Sequence, residues 1–521
     1  MHRPSLLHLV AAVLLAAAAV CGAQPVIDLA SLPPGAGSRF DAADAGTDTG
    51  SAVSRIGDMD GDGRAEIAIG APKVGNGLPP GGTVFVLFGR PGGFPAQAAL
   101  GSLDGTSGFR IAGVPLAAGA WSGLGARIAS AGDVNGDGLA DLLAVGFQQR
   151  DAVVVFGRRT PFPAVVAAAD LDGADGFRIG GPPDFGVPFG IAGGFDLNRD
   201  GIDDLAVGYS NATVDGRLRA GRVVVLFGRR SGFPARVDGL AFAAGEGFRI
   251  DGTQAEQVLG DSMASAGDID GDGFADLLLT ASLTTANGRV AAYVIHARPS
   301  AFPPLLDLGS LDGTTGFALV LPANAPASLQ IAAGIGDVNA DGLDDVAIGR
   351  SNDPANPQDF HGRGTTFVVF GHHGPRAAEL RSADFDGLVG ARIVGAHPSG
   401  QAGTGLAGVG DFTGDGIADL AIGVQRDSDL ANRGATIRLV HGRAGRWPTV
   451  LGLGMPGDDS VTTIIDRDAA ANTGTPFGLS GAGDADGDGV ADLLAGDLGT
   501  PRNRAHLIRG RSAVLFRDDF E

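Results

Sequence analysis

Cysteine is almost missing from this 521-residue chain: Cys21 is the only one, so no disulfide framework is available to it. Lysine is equally scarce, with Lys73 alone among 38 basic residues. We read the arginine excess as compositional bias. Positive charge falls short overall, at 38 basic against 59 acidic residues and a formal charge of −21. That balance excludes electrostatic binding of nucleic acid, whose phosphates demand basic faces. It also excludes an electrostatic anchor on anionic lipid. Only 19% of residues are charged while 44% are hydrophobic, which is too apolar for a disordered chain. Beyond the N-terminus no apolar run is long enough to span a membrane.

At the N-terminus itself, His2 and Arg3 precede an apolar Ala- and Leu-rich stretch over residues 6–20, and small residues follow at Cys21, Gly22 and Ala23. This is the pattern of an export signal cleaved before Gln24. We therefore expect residues 1–23 to be a signal peptide, 24–510 the folded domain and 511–521 a short tail. The mature chain is expected to be secreted, extracellular or periplasmic, and to lack cysteine. Something other than disulfides must tie its loops, and bound metal is the obvious candidate.

What the chain has in abundance is glycine, with 88 residues, and a repeated acidic turn. Seven copies begin at Asp58, Asp133, Asp196, Asp268, Asp337, Asp411 and Asp484, at intervals of 75, 63, 72, 69, 74 and 73 residues. Each has an oxygen-bearing side chain at positions 1, 3, 5 and 9, with glycine at position 6. In the first, the candidate ligands are Asp58, Asp60, Asp62 and Glu66, with the carbonyl of Arg64 at position 7. In the second they are Asp133, Asn135, Asp137, Leu139 and Asp141, and in the third Asp196, Asn198, Asp200, Ile202 and Asp204. The fourth has Asp268, Asp270, Asp272, Phe274 and Asp276; the fifth has Asp337, Asn339, Asp341, Leu343 and Asp345. The sixth has Asp411, Thr413, Asp415, Ile417 and Asp419, and the seventh Asp484, Asp486, Asp488, Val490 and Asp492.

Alternating oxygens around a sharp glycine turn suit calcium, a hard cation that takes six to eight oxygen ligands. The turns contain no His or Cys, which disfavours zinc and copper. Position 12 is apolar in every copy (Ile69 in the first, Ala495 in the last), where an EF-hand would need a bidentate Glu. The candidate positions carry 24 carboxylates, which would repel one another without cations. Up to seven Ca²⁺ are expected. The copy at Asp411 is expected to bind weakest, because Thr413 offers only a neutral hydroxyl.

Each turn lies between two strand-like runs, and two more follow: an apolar run such as 82–89 and a Gly-Phe-Arg-Ile element such as 108–111. Four short strands per unit and seven units predict an all-β, seven-bladed propeller. Residues 26–43 resemble the fourth strand of a unit, and the last unit lacks one, so this segment is expected to complete the last blade.

Together with Phe-Gly at 189–190 and 477–478 and Gly-Ala-Pro at 70–72, the unit resembles the FG-GAP repeat of the integrin α-subunit N-terminal propeller. The resemblance covers nearly all of residues 26–510. It implies turns on one face, stabilised by cations, and partner binding on the opposite face. Here every unit carries a turn, whereas only some blades of animal integrin heads do, and we expect the propeller alone, without an integrin's legs or membrane segment. The implied role is a non-catalytic recognition or adhesion module, expected to be monomeric, with a protein or glycan ligand. Trp121, Tyr209, Phe360 and His361 are candidate anchors on that opposite face. The alternative is a hydrolase or lyase acting on polysaccharide or a lipid anchor, with Arg150, Arg350 and His361 meeting in a central pocket. No Gly-x-Ser-x-Gly, His-Glu-x-x-His, P-loop or dinucleotide-binding motif occurs.

Overall fold

The computed structural model describes residues 26–42, 46–73, 81–115, 122–182, 185–241, 243, 245–285, 288–321, 330–351, 362–398, 400–426, 434–454, 460–466, 478–496, 498 and 504–510. Trp121, Phe360, His361, the expected signal peptide and the expected tail lie outside them. The described residues form seven sheets and four single-turn 3₁₀ segments, with no α-helix among them. Among the described residues, no helix is long and apolar enough to cross a membrane.

Each sheet is one blade. Blade 1 runs Val53–Gly57, Glu66–Ala71, Thr83–Leu87 and Gly108–Ala112, each strand antiparallel to the one before. Blades 2 to 6 repeat this order, from Leu124–Gly132 to Val461–Ile465. Blade 7 takes Leu479–Gly483, Asp492–Gly496 and Arg504–Ile508 from the end of the chain, and its fourth strand, Gly37–Asp41, from the beginning. Residues 26–43 do not all lie in that blade. Val26–Asp28 instead pairs in parallel with Val461–Ile465 of blade 6.

That parallel pairing is a general device. The fourth strand of each blade accepts a three-residue strand from the neighbouring blade, for example Val165–Ala167 on blade 1 and Gln97–Ala99 on blade 7. At blade 3 it shrinks to a single bridge between Arg249 and Leu305. An exposed outer edge is thereby covered by the next repeat.

The second strands are buried on both sides, as in Glu66–Ala71, Asp141–Gly146 and Asp419–Val424. Continuous apolar runs, not alternating ones, mark strands sandwiched between layers. The apolar residues gather into seven hydrophobic clusters among the described residues, and each cluster joins two adjacent blades. One of them packs Phe40, Leu494 and Leu507 of blade 7 against Val53, Ile67 and Phe85 of blade 1. The first strands also touch in turn around a central axis, and Leu479–Gly483 returns to Val53–Gly57. Small residues fill these strands because seven of them converge.

Phenylalanines staple neighbouring blades. Phe109, in the fourth strand of blade 1, stacks on Phe162 with ring centroids 4.2 Å apart and planes at 4°. Phe177 on Phe233 (4.2 Å) and Phe248 on Phe302 (4.5 Å) repeat the contact. Arg158, Arg229 and Arg298 lie over the outer rings at 4.4, 4.6 and 4.1 Å, adding a cation–π term to the buried area.

Candidate metal centres

The acidic turns all connect the first strand of a blade to the second, so the shared topology puts the seven on one face. A β-bulge immediately precedes each turn, as at Arg55/Gly57 and Gly408/Gly410. A bulge bends and twists the strand, which throws position 1 outward. Glycine at position 6 adopts the left-handed conformation throughout, from φ 81° at Gly201 to 91° at Gly342 and Gly489, a region that side chains with a Cβ rarely enter.

Within the turn, the position-1 carboxylate gathers backbone donors. Asp58 Oδ1 accepts from Gly61 N (2.7 Å) and Asp62 N (3.1 Å), and Oδ2 from Gly63 N (2.9 Å). Asp484 does the same with Gly487, Asp488 and Gly489 at 2.7 to 2.9 Å. In the turns starting at Asp58, Asp268 and Asp484, oxygens from positions 1, 3 and 5 lie within 4.8 Å of one another. Where position 3 is Asn, its amide bridges instead: Asn135, Asn198 and Asn339 donate to Asp137, Asp200 and Asp341 at 3.1, 2.9 and 2.8 Å.

Position 9 is different, because its carboxylate is fully buried in all seven blades. It links the turn to the end of the third strand. Asp345 accepts from Val338 N at position 2 (2.9 Å) and from Gly371 N (2.8 Å). Asp141 joins Val134 to Gly157, Asp204 joins Leu197 to Gly228, and Asp492 joins Ala485 to Gly510, all at 2.9 to 3.0 Å. This contact accounts for the recurrent Gly after the third strand. A Cβ on Gly228 would lie 2.2 Å from Asp203 O, so glycine fits there without a shift; blade 4 has Ala297 instead, whose N still donates to Asp276 at 2.8 Å. Glu66 uses its extra methylene to reach Met59 N and, at 3.4 Å, Gly89 N.

Burial holds these acids toward their neutral form, helped by the nearby position-1 and position-5 carboxylates. Asp204 and Asp345 are pushed up to about 8, as are Glu66 and Asp276. Asp419 and Asp492 are pushed up to about 7, and Asp141 is raised well above the usual carboxylate range. A buried carboxylate surrounded by like charges needs a proton or a cation. The donor set is all oxygen in six turns and suits a hard divalent cation. The residues therefore fit calcium, with Thr413 the weakest member; its Oγ1 is buried without a hydrogen bond.

The turns are also wired to each other. Ala140 N donates to Asp58 O (2.8 Å), Ala418 N to Asp337 O (3.2 Å) and Ala491 N to Asp411 O (2.9 Å). Arg158 N donates to Met59 O (2.7 Å) and Arg443 N to Val338 O (2.9 Å). An ion held in one turn would thus also support its neighbour.

One ligand-type residue escapes a reading of the turns alone. His296 stands where blades 1, 2, 3 and 5 have Phe88, Phe156, Phe227 and Phe370, and it reaches Asp270 and Asp276. Histidine is absent from the turn segments but not from this site.

The opposite face presents the connections from second to third strand and from each blade to the next. Phe147 and Leu218 are exposed there, at 41% and 65%. A cavity of ≈ 470 Å³ spanning blades 3 to 5 is lined by Phe189, Asn211, Arg219, Glu256, Thr280 and Gln330. The Gln330 side chain is buried with no hydrogen bond from either amide atom. Tyr209, expected on this surface, is instead fully buried, edge-on to Phe185 at 4.9 Å, with its hydroxyl toward Ile179 O. It is core, not an anchor. A central cavity of ≈ 550 Å³ is lined by first-strand residues such as Ser54, Arg55, Arg127, Ser130 and Ser480. Neither Arg150 nor Arg350 lines it. Arg350 is buried at the end of the second strand of blade 5.

These features define a seven-bladed propeller with an oxygen-rich turn at the first corner of every blade. The FG-GAP repeat pattern matches residues 49–87, 187–226 and 260–293, which fall on blades 1, 3 and 4. Mouse integrin alpha-E is 29% identical over 197 residues, covering 36% of this chain and 15% of that protein. Human integrin alpha-E is 30% identical over 161 residues (29% and 12%), and Xenopus laevis integrin alpha-4 is 32% identical over 181 residues (34% and 15%). The chain thus carries FG-GAP repeats in three places and is similar over about a third of its length to integrin α subunits. The aligned region spans less than a sixth of each relative's own length.

Proposed function

We propose that this chain is an exported, calcium-loaded propeller that acts as a non-catalytic recognition or adhesion module. Calcium is structural in this reading. It fills the acidic turns on one face and leaves the other face to bind a protein or glycan. The observation that carries the proposal is the fully buried position-9 carboxylate, seven times repeated, joining each turn to the end of the third strand. Ions at those turns would be held by side-chain oxygens of positions 1, 3, 5 and 9 and would offset 14 of the 21 formal negative charges. A bound divalent ion contributes its binding energy to folding.

Support for the ligand face comes from the exposed Phe147 and Leu218 and the Arg219–Glu256 pair at 2.9 Å beside the cavity that holds Gln330. Aromatic and Arg residues around a concavity are typical interface anchors. The enzyme alternative has no converging acid–base pair among the described residues of the central cavity. The test is binding of residues 24–521 to a glycan and matrix-protein array, in calcium and in chelator. Calcium-dependent retention of an intact ligand supports the module. A ligand recovered cleaved, or no retention at all, overturns it.

A further inference from the structure

We propose that blade 4 carries a mixed nitrogen–oxygen site that takes a divalent first-row transition ion of the Mn²⁺, Co²⁺ or Zn²⁺ class in preference to calcium. The proposal rests on the reading of the acidic turns as ion sites and assigns one of them a different ion. One ring nitrogen of His296 and one oxygen each of Asp270 and Asp276 lie within 4.8 Å of one another. His296 is 3% exposed. Its Nδ1 is 3.0 Å from the Thr314 carbonyl and 3.2 Å from Asp270 Oδ2.

With Nδ1–H donating to Thr314 O, the tautomer is fixed and Nε2 keeps a lone pair, the arrangement that prepares histidine for a metal. Nε2 has no hydrogen bond, and neither does Asp276 Oδ2, which is also fully buried. His296 Nε2 and Asp276 Oδ2 are thus each buried without a hydrogen-bond partner beside the cluster, a costly state unless a further group satisfies them.

Local charge favours the same ion class. Arg199, projecting from the turn of blade 3, pairs with Asp272, and Arg376 lies within electrostatic range of Asp270. Two guanidinium groups weaken a site that depends on negative charge alone, as calcium's does. An imidazole–metal bond survives that loss, and transition ions gain most from nitrogen ligands. The other blades lack this set. Four have Phe at the position of His296, His441 of blade 6 turns to Thr462 Oγ1 at 2.9 Å, and Arg509 of blade 7 lies on Asp486 at 3.1 Å.

The experiment titrates Co²⁺ into residues 24–521 held in millimolar excess calcium and follows the visible d–d absorption. One equivalent is expected to bind with the spectrum of a nitrogen-containing site, and equimolar Zn²⁺ should displace it. His296→Phe restores the residue of the other blades. It should weaken Co²⁺ by at least roughly ten- to 100-fold, the range that loss even of outer support costs, with calcium uptake at the other turns unchanged. Asp270→Asn should weaken it in the same direction. Calcium uptake without any calcium-resistant Co²⁺ overturns this inference and leaves the calcium reading standing. Equal Co²⁺ binding by His296→Phe also overturns it. Tight Co²⁺ binding by a chain that takes no calcium supports the site and contradicts the calcium reading.

Discussion

Replacing Asp345 by Asn separates the two roles of a position-9 carboxylate. Asp345 is fully buried, accepts Val338 N and Gly371 N at 2.9 and 2.8 Å, and has its pKa pushed up to about 8. In chelator at pH 7 it is therefore mostly protonated, and Asn copies its shape and neutrality. The variant turns one amide NH₂ toward a backbone donor, which costs about 1–2 kcal/mol. In calcium the same change removes a charge and an oxygen from the ion's surroundings. Breaking a buried charge pair from one side costs about 3–5 kcal/mol. Asp345→Asn should therefore be only mildly destabilised in chelator and should lose most of the stabilisation that calcium gives blade 5. The assay is urea unfolding of both proteins, with and without calcium. Equal destabilisation in the two conditions would refute the reasoning, because Asp345 would then be a hydrogen-bond clamp that no ion touches.

The pH dependence should invert with metal. Without calcium, six position-9 acids have folded pKa values of about 7 to about 8, against roughly 4 when unfolded. The folded chain binds more protons in that window, so its melting temperature should fall as pH rises from about 4 to about 8; calcium, which holds the groups ionised, should abolish or reverse the slope. Thr413→Asp adds a carboxylate to the weakest turn, and calorimetry should show about tenfold tighter calcium binding there; unchanged affinity would mean that position 3 of blade 6 does not face the ion. Phe162→Ala empties the stacked contact with Phe109 and should cost about 3–5 kcal/mol in calcium and in chelator alike, measured by urea unfolding; a metal-dependent loss would mean that the staple and the turn are coupled.

Much of this architecture was legible because its signals are local and repeated. The acidic turn is a contiguous nine-residue pattern, so seven copies counted the blades. Apolar runs such as Glu66–Ala71 mark the second strands in the sequence, and the structure shows them buried on both sides. The Phe-Pro steps at 94–95, 162–163, 233–234 and 302–303 were equally periodic, and the structure explains them as staples between blades. Contacts between distant residues were not legible. His296 lies 20 residues beyond Asp276, and nothing in the turn segment signals it. Tyr209 ends a strand and reads as a surface aromatic, yet Ile179 of the preceding blade and Phe185 cover it. The segment at 26–43 was expected to serve one blade but serves two, because parallel pairing of Val26–Asp28 leaves no turn signature.

The central claim is that the turns bind calcium and that the fold depends on it. The most direct test dialyses residues 24–521 in calcium-only buffer, counts bound ions by elemental analysis, and compares melting temperature before and after chelation. The account predicts close to seven calcium ions per chain and a large drop in melting temperature on their removal. A chain that retains no calcium, or melts unchanged once stripped, would contradict it.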